Sequence, residues 1–280
     1  MAQVISNRAL PGGFYLLEAD ISGGAGSSDN FNQKVVVQND NYLQKVDDQY
    51  VNFSHSAPEF RSGQFCMLRA WDTVPVLSRP ISVFDAQGPR VSFLYKTLGQ
   101  GTVLFSRLKP GDALSIQGPL GRGFPELSGR IAMVGGGAGI APFYLGARQF
   151  RAAGCTVDLY LGFSGEPFLA EEYRGLANRV TVNVGGFITD AIDPAEYDFV
   201  FTCGPEIMMR VLYDKCKKAG VEDRLSVSLE SRMACGVGAC FGCSRKTTRG
   251  NKKVCKDGPV FPAADVFATG DVPARIGGEI

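Results

Sequence analysis

Residues 130–154 read RIAMVGGGAGIAPFYLGARQFRAAG. "RIAMVGGG" has the pattern of a short buried strand, and "APFYLGARQFRAAG" carries apolar residues at helical spacing until Gly154 ends it. A strand that passes through glycines straight into a helix is the opening unit of a parallel, doubly wound sheet. The alternation continues downstream. "CTVDLYLGF" and "PAEYDFVFTCG" read as strands, and "PEIMMRVLYDKCKKAG" as a helix ended by Gly220. Gly135, Gly136, Gly137 and Gly139 let the backbone approach a pyrophosphate at the helix start, although a tight turn without a ligand has the same pattern. Cys203, Gly204 and Pro205 end a later strand of the same sheet, and two glycine-bearing strand ends suggest one crevice.

Upstream the period is different. "GFYLLEAD", "QFCMLRAW", "PISVFD", "RVSFLYKTLG" and "DALSIQG" are short runs with β-branched and aromatic residues, separated by Gly, Pro and Asp at barrel-like spacing. They describe a small antiparallel β domain, interrupted between residues 22 and 56 by a polar, glycine-rich and then weakly strand-like insertion. Arg79 stands just before one strand and could neutralise a phosphate. The N–H groups around Gly101 and the Thr102 hydroxyl could cradle it. Gly118 to Phe124, "GPLGRGF", leads out of the barrel toward the next domain.

The 280 residues suffice for two domains and a small third, and 45% apolar content supports packed cores. Lys and Arg (29) balance Asp and Glu (28), so no electrostatic footprint points to nucleic acid or to an anionic membrane surface. Ile131 to Ala147 is uncharged, but its glycines and Pro142 argue against a membrane span. "MAQVISNRAL" has neither the basic start nor the apolar run of a signal peptide, so a cytoplasmic location without disulfides is expected.

Four of the eight cysteines cluster near the C-terminus. Cys235, Cys240 and Cys243 are spaced C-x4-C-x2-C, and Cys255 follows after eleven residues. Four thiolates can close a structural zinc site, usually through two short knuckles, of which only one is present. The 4-then-2 spacing is that of a plant-type [2Fe–2S] cluster, whose loop turns backbone N–H groups toward the sulfurs. Gly236, Gly238, Ala239 and Gly242 suit such wrapping. Arg245, Lys252 and Lys253 either support the cluster's negative charge or form a solvated hairpin tip. Cys66, Cys155 and Cys216 read as small core residues.

R-P-x-S at Arg79–Ser82, G-x-G-T ending at Thr102, G-G-G-x-G-x-A-P and C-G-P together resemble the ferredoxin–NADP reductase superfamily. "SLESRMACGVGACFGC" and "VCKDGPVF" narrow the resemblance to the electron-transfer subunits of type B dihydroorotate dehydrogenase, over the chain except residues 22–56. The resemblance implies three cofactors, FAD, NAD and a [2Fe–2S] cluster. Arg79, Pro80, Ile81 and Ser82 would meet the flavin and phosphates of FAD, Leu94, Tyr95 and Lys96 would line it, and Gly101 and Thr102 would take its pyrophosphate. Gly135, Gly136, Gly137, Gly139, Cys203, Gly204 and Pro205 would receive NAD, and Cys235, Cys240, Cys243 and Cys255 would ligate the cluster. It also implies a separate FMN-containing catalytic subunit that oxidises dihydroorotate, in a heterotetramer of two chains each.

The expected fold is α+β and multidomain: an antiparallel β-barrel FAD domain over 1–127, an α/β parallel-sheet NAD domain over 128–225, and a small [2Fe–2S] domain over 226–280. No side chain need act as catalytic acid or base, because a flavin mediates between hydride and single-electron partners. His55, the only histidine, sits in the insertion and reads as a surface residue. Glu166, after the second strand of the nucleotide domain and without a neighbouring Lys or Arg, favours NAD over NADP. Two other readings share parts of this pattern. One is a flavin and iron–sulfur subunit of an NAD(P)H–ferredoxin oxidoreductase or a sulfhydrogenase; the other is a nucleotide-binding protein with a zinc knuckle, which would be colourless.

Overall fold

The computed structural model describes residues 1–25 and 58–268. The expectations for His55 and for most of the 22–56 insertion lie outside the described residues.

Six strands close an antiparallel barrel: β1 (Ala2–Leu10), β2 (Phe14–Asp20), β3 (Phe65–Arg69), β4 (Arg79–Gln87), β5 (Arg90–Lys96) and β6 (Ala113–Leu120), in the order β1-β2-β5-β4-β3-β6. A short helix α1 (Gln100–Phe105) links β5 to β6. The strand period of two places Val91, Phe93 and Tyr95 inside, with Leu17, Val83 and Leu114, while Leu94 points out toward the second domain. Strand β1 is absent from the sequence reading for a physical reason. Its register against β2 shifts between Val4 and Ser6, and such a bulge breaks the alternation that betrays a strand.

The second domain is a six-stranded sheet. β7 (Arg130–Gly136), β8 (Thr156–Phe163), β9 (Arg179–Val184), β10 (Phe199–Cys203) and β11 (Leu225–Ser228) run parallel. Their order is β11-β10-β7-β8-β9, so the chain winds outward from β7 to β9, then returns to start again at β10 on the other side of β7. Helices α2 (Pro142–Ala152), α3 (Ala170–Arg174) and α4 (Glu206–Lys218) accompany the strands. The edge strand β9, "RVTVNV", carries the period-two alternation of a strand but lacks fully buried residues.

β11 carries the parallel sheet to Ser228, and the C-terminal segment follows it. Beyond it come the hairpin β12 (Ser244–Thr247) and β13 (Gly250–Lys253), α5 (Val254–Asp257), β14 (Val260–Pro262) and α6 (Ala263–Phe267). β14 pairs antiparallel with β11 and becomes the sixth strand of the sheet. Met233, Cys243, Val254, Cys255, Phe261 and Phe267 share one core with Val134, Val200, Leu212 and Val227. A segment too short to bury a core of its own thus completes that of its neighbour.

The barrel docks on the sheet through aromatic pairs. Phe14 meets Phe168, and Phe84 meets Tyr144, each with ring centroids 4.4 Å apart. Arg148 of α2 reaches across to Asp85 Oδ1 and the Ala86 carbonyl, both at 2.6 Å. Among the described residues no helix is long and apolar enough to cross a membrane.

At the N-terminal edge of the sheet, Asp158 is 3% exposed and accepts from the Tyr197 hydroxyl at 2.9 Å and Arg130 Nη2 at 3.1 Å. Arg179 lies 3.4 Å away, and its Nη2 also donates to the hydroxyls of Tyr160 and Tyr197. Removing the carboxylate strands these donors around a buried hole. Asp158→Ala is expected to cost about 2–3 kcal/mol, less than a fully buried pair because both arginines are half exposed. Urea unfolding measures it, and the network lies at the edge of the sheet opposite the glycine loops.

Candidate functional site

The strand order reverses between β7 and β10, and open parallel sheets bind ligands where this happens, beyond the C-terminal strand ends. The two expected glycine loops meet at this point. A Cβ on Gly139 would overlap the Cys203 carbonyl, and one on Gly204, whose φ is +141°, would lie 2.9 Å from the Gly136 carbonyl oxygen. A Cβ on Gly136 would meet Pro205 at 3.0 Å. Gly137, in contrast, has φ +56° and nothing nearer than 3.8 Å. Three glycines therefore let two loops touch, and the fourth shapes a turn. Burial raises the Cys203 thiol pKa, with Glu230 adding to the shift.

Glu230 was not among the expected site residues. It lies two positions beyond Ser228, which is paired with Cys203, and so stands at the crevice. Its side chain is exposed to solvent. Its signal in the sequence is a lone carboxylate after the apolar strand of "LSVSLE".

On the barrel, Arg79 and Gly101 come together. A Cβ at Gly101 would stand 2.6 Å from Arg79 Nε and 2.8 Å from the Trp71 ring, so the first turn of α1 lies directly on the guanidinium. Helix first-turn N–H groups lack partners within the helix, which leaves those of Gln100, Gly101 and Thr102 beside a cation. The Thr102 hydroxyl is already engaged. It accepts from the Leu98 and Gly99 N–H groups and donates to the Gly99 carbonyl, so it builds the turn. Pro80, Ile81 and Ser82 continue β4 from Arg79, all half-buried. Leu94 packs between the domains and Lys96 is exposed, but Tyr95 points into the barrel, its hydroxyl 3.1 Å from Asn7 Oδ1. Any ligand beside Tyr95 would meet its backbone.

The four clustered thiols fall into two pairs. The Cys240 N–H donates to Cys235 Sγ at 3.4 Å, and the Cys255 N–H to Cys243 Sγ at 3.4 Å. Among the described residues no three or more metal-binding side chains converge on a single ion position. Each pair supplies the two thiolates that one iron of a binuclear cluster needs. Burial opposes ionisation of Cys235, yet the N–H groups of Cys240, Val237 and Ala239 overcome it and hold its pKa down at about 6. Burial and its bond with Cys243 push Cys255 up. The donors around Cys235 are those that would stabilise a negatively charged cluster. Arg245 is no free hairpin tip, because it pairs with Glu206 of α4. Lys253 Nζ stands 4.5 Å from the ring of Phe241.

The cluster loop rests on the barrel. A Cβ at Gly236 would meet Met67 of β3 at 2.8 Å and Leu120 of β6 at 3.0 Å, and Met67 pairs across the ladder with Pro80. One strand thus separates the cysteines from the Arg79–Ser82 segment.

A closed six-stranded barrel docked on a doubly wound parallel sheet is a fold shared with solved ferredoxin reductases. The NADH-dependent reduced ferredoxin–NADP oxidoreductase has this fold, with TM-score 0.76 and 24% identity over 95% of this chain and 89% of that one. The ferredoxin reductase of carbazole 1,9a-dioxygenase has it with TM-score 0.57 and 20% identity, over 81% of this chain and 67% of that one. The iron–sulfur cluster binding domain of dihydroorotate dehydrogenase B matches residues 230–267. Over 218 residues the chain is 42% identical to the dihydroorotate dehydrogenase B (NAD(+)) electron transfer subunit of Clostridium acetobutylicum, covering 75% of this chain and 87% of that protein. The corresponding subunit of Caldanaerobacter subterraneus is 40% identical, over 73% and 86%. The chain belongs to the family of dihydroorotate dehydrogenase B electron transfer subunits.

Proposed function

We propose that the chain passes electrons from dihydroorotate oxidation, carried out on an FMN-containing catalytic subunit, by way of a [2Fe–2S] cluster and FAD to NAD+. The complex holds two copies of each chain and works in the cytoplasm. The observation that carries this reading is adjacency: the cluster loop rests at Gly236 on Met67, whose ladder partner Pro80 belongs to the Arg79–Ser82 strand, and the strand that leads into that loop pairs at Ser228 with Cys203 of the glycine crevice. Bound FAD supplies the exchange between a hydride pair and single electrons, which no side chain supplies.

The chain's own residues bind, orient and exclude water. Arg79 and the first turn of α1 would hold the FAD diphosphate, with Pro80, Ile81, Ser82 and Lys96 along the flavin, Leu94 packing behind it between the domains and Tyr95 meeting it through its backbone. Gly135 to Gly139 and Cys203 to Pro205 would hold the dinucleotide, and their mutual contact closes the crevice floor against water. Glu166, exposed in the loop after β8, would face the adenosine ribose and repel a 2′-phosphate. Cys235 with Cys240, and Cys243 with Cys255, would each hold one iron.

Native copurification followed by assay tests the reading. The expected complex shows flavin absorption with a longer-wavelength cluster shoulder and reduces NAD+ with dihydroorotate. Reduction of NAD+ with hydrogen or sulfide but not dihydroorotate would move the chain to another reductase system. Within the site, Gly101→Ala forces a methyl against two clamped side chains, and FAD affinity should fall about tenfold. Equilibrium titration of the flavin-stripped chain with FAD measures this.

A further inference from the structure

Trp71 is the single tryptophan of the chain, and two arginines flank it. The guanidinium carbon of Arg69 lies 5.9 Å from the ring and that of Arg79 5.4 Å. The two cations are not equivalent. Arg69 donates to the carbonyls of Trp71 at 2.8 Å, Val76 at 2.7 Å and Asp72, so the loop between β3 and β4 is wound around it. The indole N–H closes the same loop on the Pro75 carbonyl, and the ring leans on Phe105 of α1 with centroids 5.4 Å apart. The ring is therefore fixed on three sides.

Arg79 is the cation with donors to spare. Among the described residues it donates from Nη1 to the Leu77 carbonyl, and no carboxylate pairs with it. A free arginine side chain loses substantial rotamer entropy when it is ordered on a ligand. Here the ordering is already done. The guanidinium lies against the indole on one side and Gly101 on the other, where even a methyl group has no room.

We propose that Trp71 is a positioning residue for the flavin cofactor, its ring holding the Arg79 guanidinium against Gly101 so that the cation is already ordered for the diphosphate it meets. The inference rests on the assignment of Arg79 and Gly101 to the FAD diphosphate. Trp71 acts through Arg79, whereas a ring that merely packs on Phe105 would act on the barrel as a whole.

A double-mutant cycle on the full chain separates these roles, with FAD affinity read by titration and the melting temperature recorded for every variant. R79Q and W71L should each weaken FAD binding about tenfold, and W71L added to R79Q should cost no more than about a further twofold. W71F keeps a ring face and should stay within about threefold of the parent. If W71L does not fold, the cycle closes with W71F, which should lose affinity only when Arg79 is present. Additive losses, or affinities that follow melting temperature alone across the tryptophan variants, would overturn the positioning role. An R79Q chain that binds FAD normally would overturn the diphosphate assignment, and this inference with it.

Discussion

Cys243→Ser is expected to abolish dihydroorotate-dependent NAD+ reduction by the assembled complex, by at least about a thousandfold, while leaving the chain able to pass electrons from NADH to a small oxidant such as ferricyanide. The reasoning begins with burial. Cys243 is 2% exposed, Cys255 is equally buried, and the two form one of the two thiol pairs. Serine fills the space but is a poor iron ligand, so one iron loses half its protein ligands. The flavin strand and the glycine crevice are built from other segments and should stay formed, which predicts an NADH–ferricyanide rate within about threefold of the parent. Cys66→Ser provides the contrast. Cys66 is buried in the barrel, with burial raising its thiol pKa, and its loss should lower stability without loss of iron. Iron content, the paramagnetic signal after reduction and the two activities are the measurements. A Cys243→Ser chain that keeps its iron and its coupled activity would show that these thiols do not hold the cluster.

Much of this arrangement is legible along the chain, and what is not has identifiable causes. The C-x4-C-x2-C spacing works as a signal because a cluster loop is local: its ligands and its amide donors are neighbours in sequence. The glycines of "MVGGGAGIAP" are visible because they too are neighbours in sequence, gathered where one strand passes into a helix. That they share a crevice with Cys203–Pro205 is legible too, because both loops end strands of one sheet, but which glycine meets which backbone atom is not, since that depends on how closely the two strand ends pack. Tyr95 illustrates a different limit. A motif names a position, but the strand period decides which way the side chain points, and here the period turns Tyr95 into the barrel. Thr102 looks like a phosphate hydroxyl in sequence and proves to be the residue that folds the Leu98–Gly99 turn. The C-terminal segment reads as a cysteine-rich tail because the strand–helix alternation ends before it, and its sequence does not announce that β14 pairs with β11 and that its apolar residues join the core of the sheet.

Gly139→Ala should act on the opposite end of the electron path, and its size follows from which atoms stand in the way. The added methyl would overlap the Cys203 carbonyl and crowd the Gly204 N–H, both of them backbone. A crowded side chain can rotate aside; a strand end cannot. Nor can the Cys203–Pro205 loop retreat alone, because Gly204 and Pro205 are themselves set against Gly136. The two strand ends must part, at a cost of about 1–3 kcal/mol, and the crevice floor opens with them. KM for NADH in the ferricyanide assay is expected to rise about a hundredfold, since a dinucleotide held by backbone N–H groups tolerates little displacement of the loops that carry them. Gly137→Ala isolates the effect. That position has room, its nearest neighbour being Phe14 at 3.8 Å, but its φ of +56° disfavours a side chain. It should cost about 1 kcal/mol of stability and raise KM only a few fold. If instead Gly139→Ala binds NADH as the parent does, the nicotinamide dinucleotide lies somewhere other than the reversal point of the sheet.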